Sequence, residues 1–176
     1  DTNADSHLVL PRVELSSERL ETVELLPFRA AVLAKTDSIM VAHVSYPAWD
    51  SRHNTPASLS RPIVTGILRN ELGYTGLIIT DAMNMKAVSS SFSPGVAAKA
   101  AFLAGVDIIL MPENFPAAYW SLLQAVRSGE IPDSRLDESV RRILTLKLQL
   151  PDDRKLPYPE RLRRAETLVG SAAHRQ

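Results

Sequence analysis

The sequence predicts an α/β fold in which a parallel sheet is interleaved with crossover helices. Three short runs carry that prediction, Ser38 to Val44 (SIMVAHV), Leu77 to Thr80 (LIIT) and Asp107 to Met111 (DIILM), each preceded by a helix-like stretch. A strand covered on both faces reads as a continuous apolar run, and alternation of such runs with helical patterns marks a parallel sheet. The second run also ends abruptly on an acidic residue, Asp81. Folds of this class place their chemistry just past the C-terminal ends of strands, which makes Asp81 the first candidate for a catalytic residue.

Taken in order, the chain opens on Asp1-Thr2-Asn3-Ala4-Asp5-Ser6-His7, too polar and short-chained for the interior of a helix or strand. It reads as a loop with titratable groups. Asp5 and His7 are two apart, so a turn or extended backbone lets the carboxylate accept from one imidazole nitrogen and leaves the other for proton transfer. His43, inside the first strand pattern, is either a satisfied core histidine or a side chain projecting from the strand's mouth. The loop that follows, Ser45 to Ser58 (SYPAWDSRHNTPAS), is long for such a unit and carries Tyr46, Trp49, Arg52 and His53. Long loops at strand C-termini often serve function, and the alternative is a surface loop with a structural role.

Before the second strand, Ser60 is placed to cap and Pro62 falls in the first turn. Ile63, Ile67, Leu68 and Leu72 then form one apolar face, which Gly73 terminates. Past that strand, Asp81 has two readings, a functional carboxylate or a cap for the next helix. Asn84, Lys86 and Ser89 to Ser91 follow on a loop or short helix. Val96 to Leu103 is alanine-rich and ends at Gly105, and Pro116 to Val126 and Ser134 to Leu148 supply two further helices. The last is expected to turn Leu136, Val140, Ile143, Leu144 and Leu148 inward and Arg141, Arg142 and Lys147 towards solvent. Beyond Leu150 the text becomes PDDRKLPYPERLRRAETLVGSAAHRQ, prolines followed by a charged amphipathic piece, which reads as a linker or the start of a following element over 151–176.

Composition narrows the function classes. Twenty basic and twenty acidic residues cancel, so no basic surface for nucleic acid or acidic lipid is expected. There is no cysteine, which removes thiolate catalysis, disulfides and Cys-ligated zinc. His43 and His53 could join His7 as metal ligands, but no HExxH or comparable spacing occurs, and neither metal nor cofactor is expected. No glycine-rich phosphate loop follows the strands, which disfavours a nucleotide-binding sheet. No apolar run reaches spanning length, and the first residues lack the pattern of a signal peptide.

Taken together, DTNADSHLVLPRV, MVAHVSYPAWD, TPASLSRPIVTGILRNELGYTGLIITDAMNMKAV, AGVDIILMP and SRLDESVRRILTLKL resemble the family 3 glycoside hydrolases, in their β-N-acetylglucosaminidase branch. The resemblance runs from Asp1 to about Leu150. Its D-S-H loop separates this branch from members that use a glutamate as acid/base. It implies the C-terminal part of a TIM-type (β/α)8 barrel over residues 1–150, with the strand runs as the sixth, seventh and eighth strands, truncated at both ends. A complete barrel needs roughly 250 residues. The N-terminal half of the barrel is thus an expected missing partner, together with the K-H-[FG]-P-G-H-G segment that holds sugar hydroxyls.

The resemblance further implies that Asp81 is the nucleophile of a retaining hydrolase that removes terminal β-linked N-acetylglucosamine through a covalent glycosyl-enzyme. The substrate would be a peptidoglycan or chitin-type fragment. His7 takes the acid/base role that a second carboxylate fills in most such enzymes, and Asp5 orients its ring. His43 and Met83 are the expected substrate contacts. An uncharged imidazole does not repel an anion, so phosphate is an alternative acceptor to water. The competing class is a non-catalytic carbohydrate-binding or scaffold half-barrel with Asp81 as a cap. The continuation after the barrel points to an exported or cell-wall-associated protein, whereas single-domain members are cytoplasmic. The isolated chain is expected to be inactive.

Overall fold

β1 (Ser38–Val41) and β2 (Leu77–Thr80) run parallel, in a register that sets Ser38 beside Leu77 and Val41 beside Thr80. This computed structural model describes residues 2–150 and 157–171. The third expected strand, 107–111, lies along the far edge of β2 but forms only one bridge, Ile79 to Ile108. The Ile108 N–H donates to the Ile78 carbonyl at 3.1 Å and the Thr80 N–H to the Ile108 carbonyl at 3.0 Å. The ladder stops there for two reasons. The Leu110 N–H turns to the Thr80 hydroxyl at 2.9 Å, and Met111 adopts a φ of 45°. A further parallel segment was not expected from the sequence. Arg12 bridges Ser45, with Val13 N–H on the Ser45 carbonyl at 2.9 Å and Ser45 N–H on the Pro11 carbonyl at 2.8 Å. The segments at Arg12, β1, β2 and Ile108 therefore lie side by side in chain order, all parallel. Strands of a (β/α) barrel follow one another in this way, whereas a doubly wound sheet reverses its order part-way.

The connecting helices form largely where the apolar spacing places them. α1 (Ser17–Arg19) starts with the Ser16 hydroxyl accepting from the Arg19 N–H and continues through a wide turn at Leu20–Glu24 into α2 (Leu26–Leu33). The Pro62–Glu71 helix is widened throughout to i→i+5 bonding. The Ser60 hydroxyl accepts from the Ile63 N–H at 3.3 Å, and Gly73 ends the element with a φ of 67°. α3 (Lys86–Ser89) is one turn, followed by α4 (Pro94–Ala104). Gly105 closes α4 with a φ of 117°, and a Cβ there would meet the Thr65 hydroxyl at 2.6 Å, so glycine is required twice over. α5 (Phe115–Arg127) starts at Asn114, whose side chain accepts from the Ala117 N–H at 3.0 Å, and α6 (Asp133–Gln149) follows.

Ile39, Val41, Val64, Leu68, Ile78 and Val106 make the centre of the core, between the sheet and its helices. Alanines at 97, 98 and 101 let α4 approach closely. β1 alternates strictly: Ile39 and Val41 are buried against the helices while Met40, on the other face, is 52% exposed.

α6 corrects its expected orientation. Leu136, Val140 and Leu144 face outward, and the buried position is Ser139. What draws the helix down is Asp107, a carboxylate with no exposed side-chain surface. Asp107 accepts from the Ser139 hydroxyl at 2.6 Å, Arg142 at 3.1 Å, Arg69 at 2.5 Å and the Ile78 N–H at 3.0 Å, with Arg135 at 3.7 Å. A buried charge is tolerated only when paired and hydrogen-bonded, and this one recruits guanidinium groups from two helices. Arg142, expected to be solvated, is part of that cluster.

The chain divides into two compact units, Asp1–Leu144 and Thr145–Gln176. The second contains α7 (Tyr158–Leu168), an exposed helix with the Arg161 guanidinium 5.8 Å from the Tyr158 ring centre. The stretch over 151–176, expected as a linker or the start of a following element, holds this helix, while 151–156 and 172–176 lie outside the described residues. Among the described residues no helix is long and apolar enough to cross a membrane.

Candidate functional site

Asp81 sits one residue past β2, partly exposed, and its backbone N–H extends the ladder by donating to the Val41 carbonyl at 3.0 Å. Its Oδ1 accepts from the Ala82 N–H at 2.7 Å. It does not cap the next helix. α3 has Met85 at its N-cap with no side-chain bond, and its first amides are satisfied from elsewhere in the chain. Lys86 N–H donates to the His7 carbonyl at 3.4 Å and Ala87 N–H to the Ser6 carbonyl at 3.2 Å. The N-terminal loop therefore lies across the segment that follows Asp81, 80 positions away in sequence.

Within that loop, Asp5 organises a tight turn. Its carbonyl accepts from the Leu8 and Val9 amides at 2.9 and 3.0 Å. Its Oδ1 accepts from the His7 N–H at 2.9 Å and faces His7 Nδ1 at 2.9 Å. The backbone amide of His7, and then its ring, hold the Asp5 carboxyl below the ordinary range. A carboxylate oxygen only accepts, so the contact places a proton on Nδ1 and leaves Nε2 as the nitrogen that takes up or releases one. The His7 side chain is 73% exposed, so that nitrogen is reachable.

His43 and Met83, the expected substrate contacts, are both buried. Met83 is 3% exposed and belongs to the hydrophobic core, while His43 is wholly buried with both ring nitrogens engaged. Nδ1 lies 2.7 Å from the Ser58 hydroxyl and Nε2 lies 3.1 Å from the Ala82 carbonyl. Burial pushes the His43 imidazole below its usual value, opposed by the bond to Ala82 and the charge of Asp81.

The long loop after β1 is shaped by a buried carboxylate. Asp50 accepts from Arg52 Nη2 at 2.6 Å and from the Ser60 hydroxyl at 2.6 Å, while Tyr46 and Trp49 pack with ring centres 5.4 Å apart. Burial alone would raise the Asp50 carboxyl, but the Arg52 and Ser60 bonds outweigh it and hold the group low. Arg52 remains 56% exposed at its side chain, and His53 is exposed. Sequence reasoning missed Ser58, whose only signal is its place at the end of this loop.

Beta-hexosaminidase A of Pseudoalteromonas piscicida is 34% identical over 195 residues, spanning all of this chain and 32% of that protein. The glycoside hydrolase family 3 β-N-acetylglucosaminidase of Paenibacillus sp. str. FPU-7 superposes with a TM-score of 0.81 at 40% identity, over 93% of this chain and 33% of that one. The β-glucoside phosphorylase BglX gives a TM-score of 0.82 at 26% identity, over 99% and 33%. The chain thus spans about a third of the length of these proteins. Residues 1–146 match the Glycosyl hydrolase family 3 N terminal domain, a TIM-barrel-type fold, and the chain belongs to glycosyl hydrolase family 3.

Proposed function

We propose that the complete protein is a retaining glycoside hydrolase that releases terminal β-linked N-acetylglucosamine, with Asp81 as nucleophile, His7 as acid/base and Asp5 as the group that orients His7. The observation that carries this reading is the Asp5–His7 pair, held by backbone bonds across the segment that follows Asp81. Relatives named for β-hexosaminidase and β-N-acetylglucosaminidase activity support the substrate class. In the first step the Asp81 carboxylate bonds to the anomeric carbon as the glycosidic C–O bond breaks, and protonated Nε2 of His7 gives its proton to the departing oxygen. In the second, neutral Nε2 takes a proton from water as the water oxygen displaces Asp81 from the anomeric carbon, which restores the carboxylate. Asp5 accepts from Nδ1 throughout and stabilises the imidazolium.

The remaining strands of the barrel are supplied, in this reading, by residues outside 1–176. The open face marked by Met40 and the coverage of a third of each relative support it. Alone, the chain lacks the walls that position a sugar and has no activity. Proton NMR of the complete protein turning over an aryl β-N-acetylglucosaminide tests the reading. The first-formed sugar is expected as the β anomer. An α anomer means inversion and rejects a covalent route through Asp81. Run in phosphate, the same assay shows whether sugar 1-phosphate forms in place of the free sugar.

A further inference from the structure

Ala82 carries two bonds that bear on the nucleophile. Its N–H fixes Asp81 Oδ1 at 2.7 Å and its carbonyl meets His43 Nε2 at 3.1 Å. The N–H and the carbonyl of Ala82 lie in successive peptide planes joined through its φ and ψ, so fixing the carbonyl plane restricts the torsions that orient the N–H. The neighbouring backbone is tied on either side, Asp81 N–H to Val41 and Met83 N–H to Leu110 at 2.9 Å. The Met83 N–H shares a peptide plane with the Ala82 carbonyl, so Leu110 holds that plane at one edge and the His43 side chain at the other.

A carbonyl only accepts, so the bond to Ala82 requires a proton on Nε2. With Nε2 protonated, the neutral ring has a lone pair on Nδ1, which accepts from the Ser58 hydroxyl at 2.7 Å. Ser58 is itself wholly buried, on the Ala57–Leu59 turn that ends the long loop, where the Ala57 N–H donates to the Val44 carbonyl at 2.8 Å. We propose that His43 is a positioning residue for Asp81: its Nε2–H, with Ser58 donating to the other ring nitrogen, holds Ala82 so that one carboxylate oxygen is fixed and the other is presented to the sugar. The proposal rests on Asp81 being the nucleophile. Burial, which depresses the imidazole's affinity for a proton, keeps the ring in the neutral form that this arrangement uses.

In the complete protein, His43→Phe keeps a planar ring of somewhat larger volume and removes both hydrogen bonds. Misplacing a reacting group by about 1 Å can cost on the order of a hundredfold in rate, so kcat is expected to fall about a hundredfold with KM little changed. His43→Gln, which returns an amide N–H near the Nε2 position, is expected to recover most of that loss. Unchanged kcat in the Phe variant, or a Gln variant as slow as Phe, overturns the proposal. Long-range 15N spectra of histidine in the wild-type protein give a test that needs no variant to be active. The His43 resonance is expected in the Nε2–H tautomer at neutral pH, and an Nδ1–H tautomer or an imidazolium overturns the assignment. Covalent labelling of the wild type separates the two levels. A label off Asp81 defeats the nucleophile reading, whereas a label on Asp81 beside an unaffected His43→Phe variant defeats only the positioning role.

Discussion

Asp5 and His7 form a pair that sequence could reveal because it is local: the spacing alone allows a turn to bring carboxylate and ring together, and the turn forms. If Nε2 of His7 delivers the proton, its loss matters in proportion to how badly the leaving oxygen needs one. His7→Ala is expected to slow alkyl or sugar N-acetylglucosaminides by roughly a hundredfold or more, and nitrophenyl glycosides much less, with Asp5→Ala following the same pattern more mildly. Steady-state kinetics on matched substrates of different leaving-group acidity check this, and equal losses on both would assign His7 to binding. His43 was less legible. Its partners lie 15 and 39 residues away, so nothing in MVAHV tells a buried brace from a sugar contact. Met83 shares that ambiguity, since a thioether beside a nucleophile packs as readily into the core as against a ligand.

Periodicity located the elements more securely than it oriented them. The apolar stripe of α6 was visible, but its direction was not. The side that turns inward is set by Asp107, which pairs with Arg142 35 positions later and Arg69 38 positions earlier. Such long-range ion pairs leave no local trace, and a run of arginines on a helix reads as a solvated face. The third strand was legible in composition yet shortened by one side chain, the Thr80 hydroxyl that takes the Leu110 amide. If Asp107 anchors α6, Asp107→Ala removes the carboxylate partner of the partly buried Arg69 and Arg135 and leaves Arg142 with Glu138 at 3.6 Å. Removing one partner of a buried pair typically destabilises by about 3 kcal/mol or more. Urea unfolding of the complete protein is expected to show that loss as a lower midpoint at unchanged m. A change below about 1 kcal/mol would mean that water replaces the carboxylate at little cost.

At the scale of the molecule, family membership was readable because its motifs sit where the fold brings chemistry together, at strand C-termini and the N-terminal loop. The Arg12 segment was not readable. A single bridging residue has no period, and its pairing with Ser45 appears only when β1 is in place. The same geometry leaves Met40 exposed on the face of β1 opposite Ile39 and Val41, and Leu136, Val140 and Leu144 exposed on α6. In the proposed function these parallel segments carry a nucleophile at the end of β2. The most direct test treats the complete protein with a slow fluorinated N-acetylglucosaminide and maps the trapped sugar by peptide mass spectrometry. One adduct is expected, on the peptide containing Asp81 and absent in Asp81→Ala. An adduct on any other residue, or one that persists in the variant, would contradict that function.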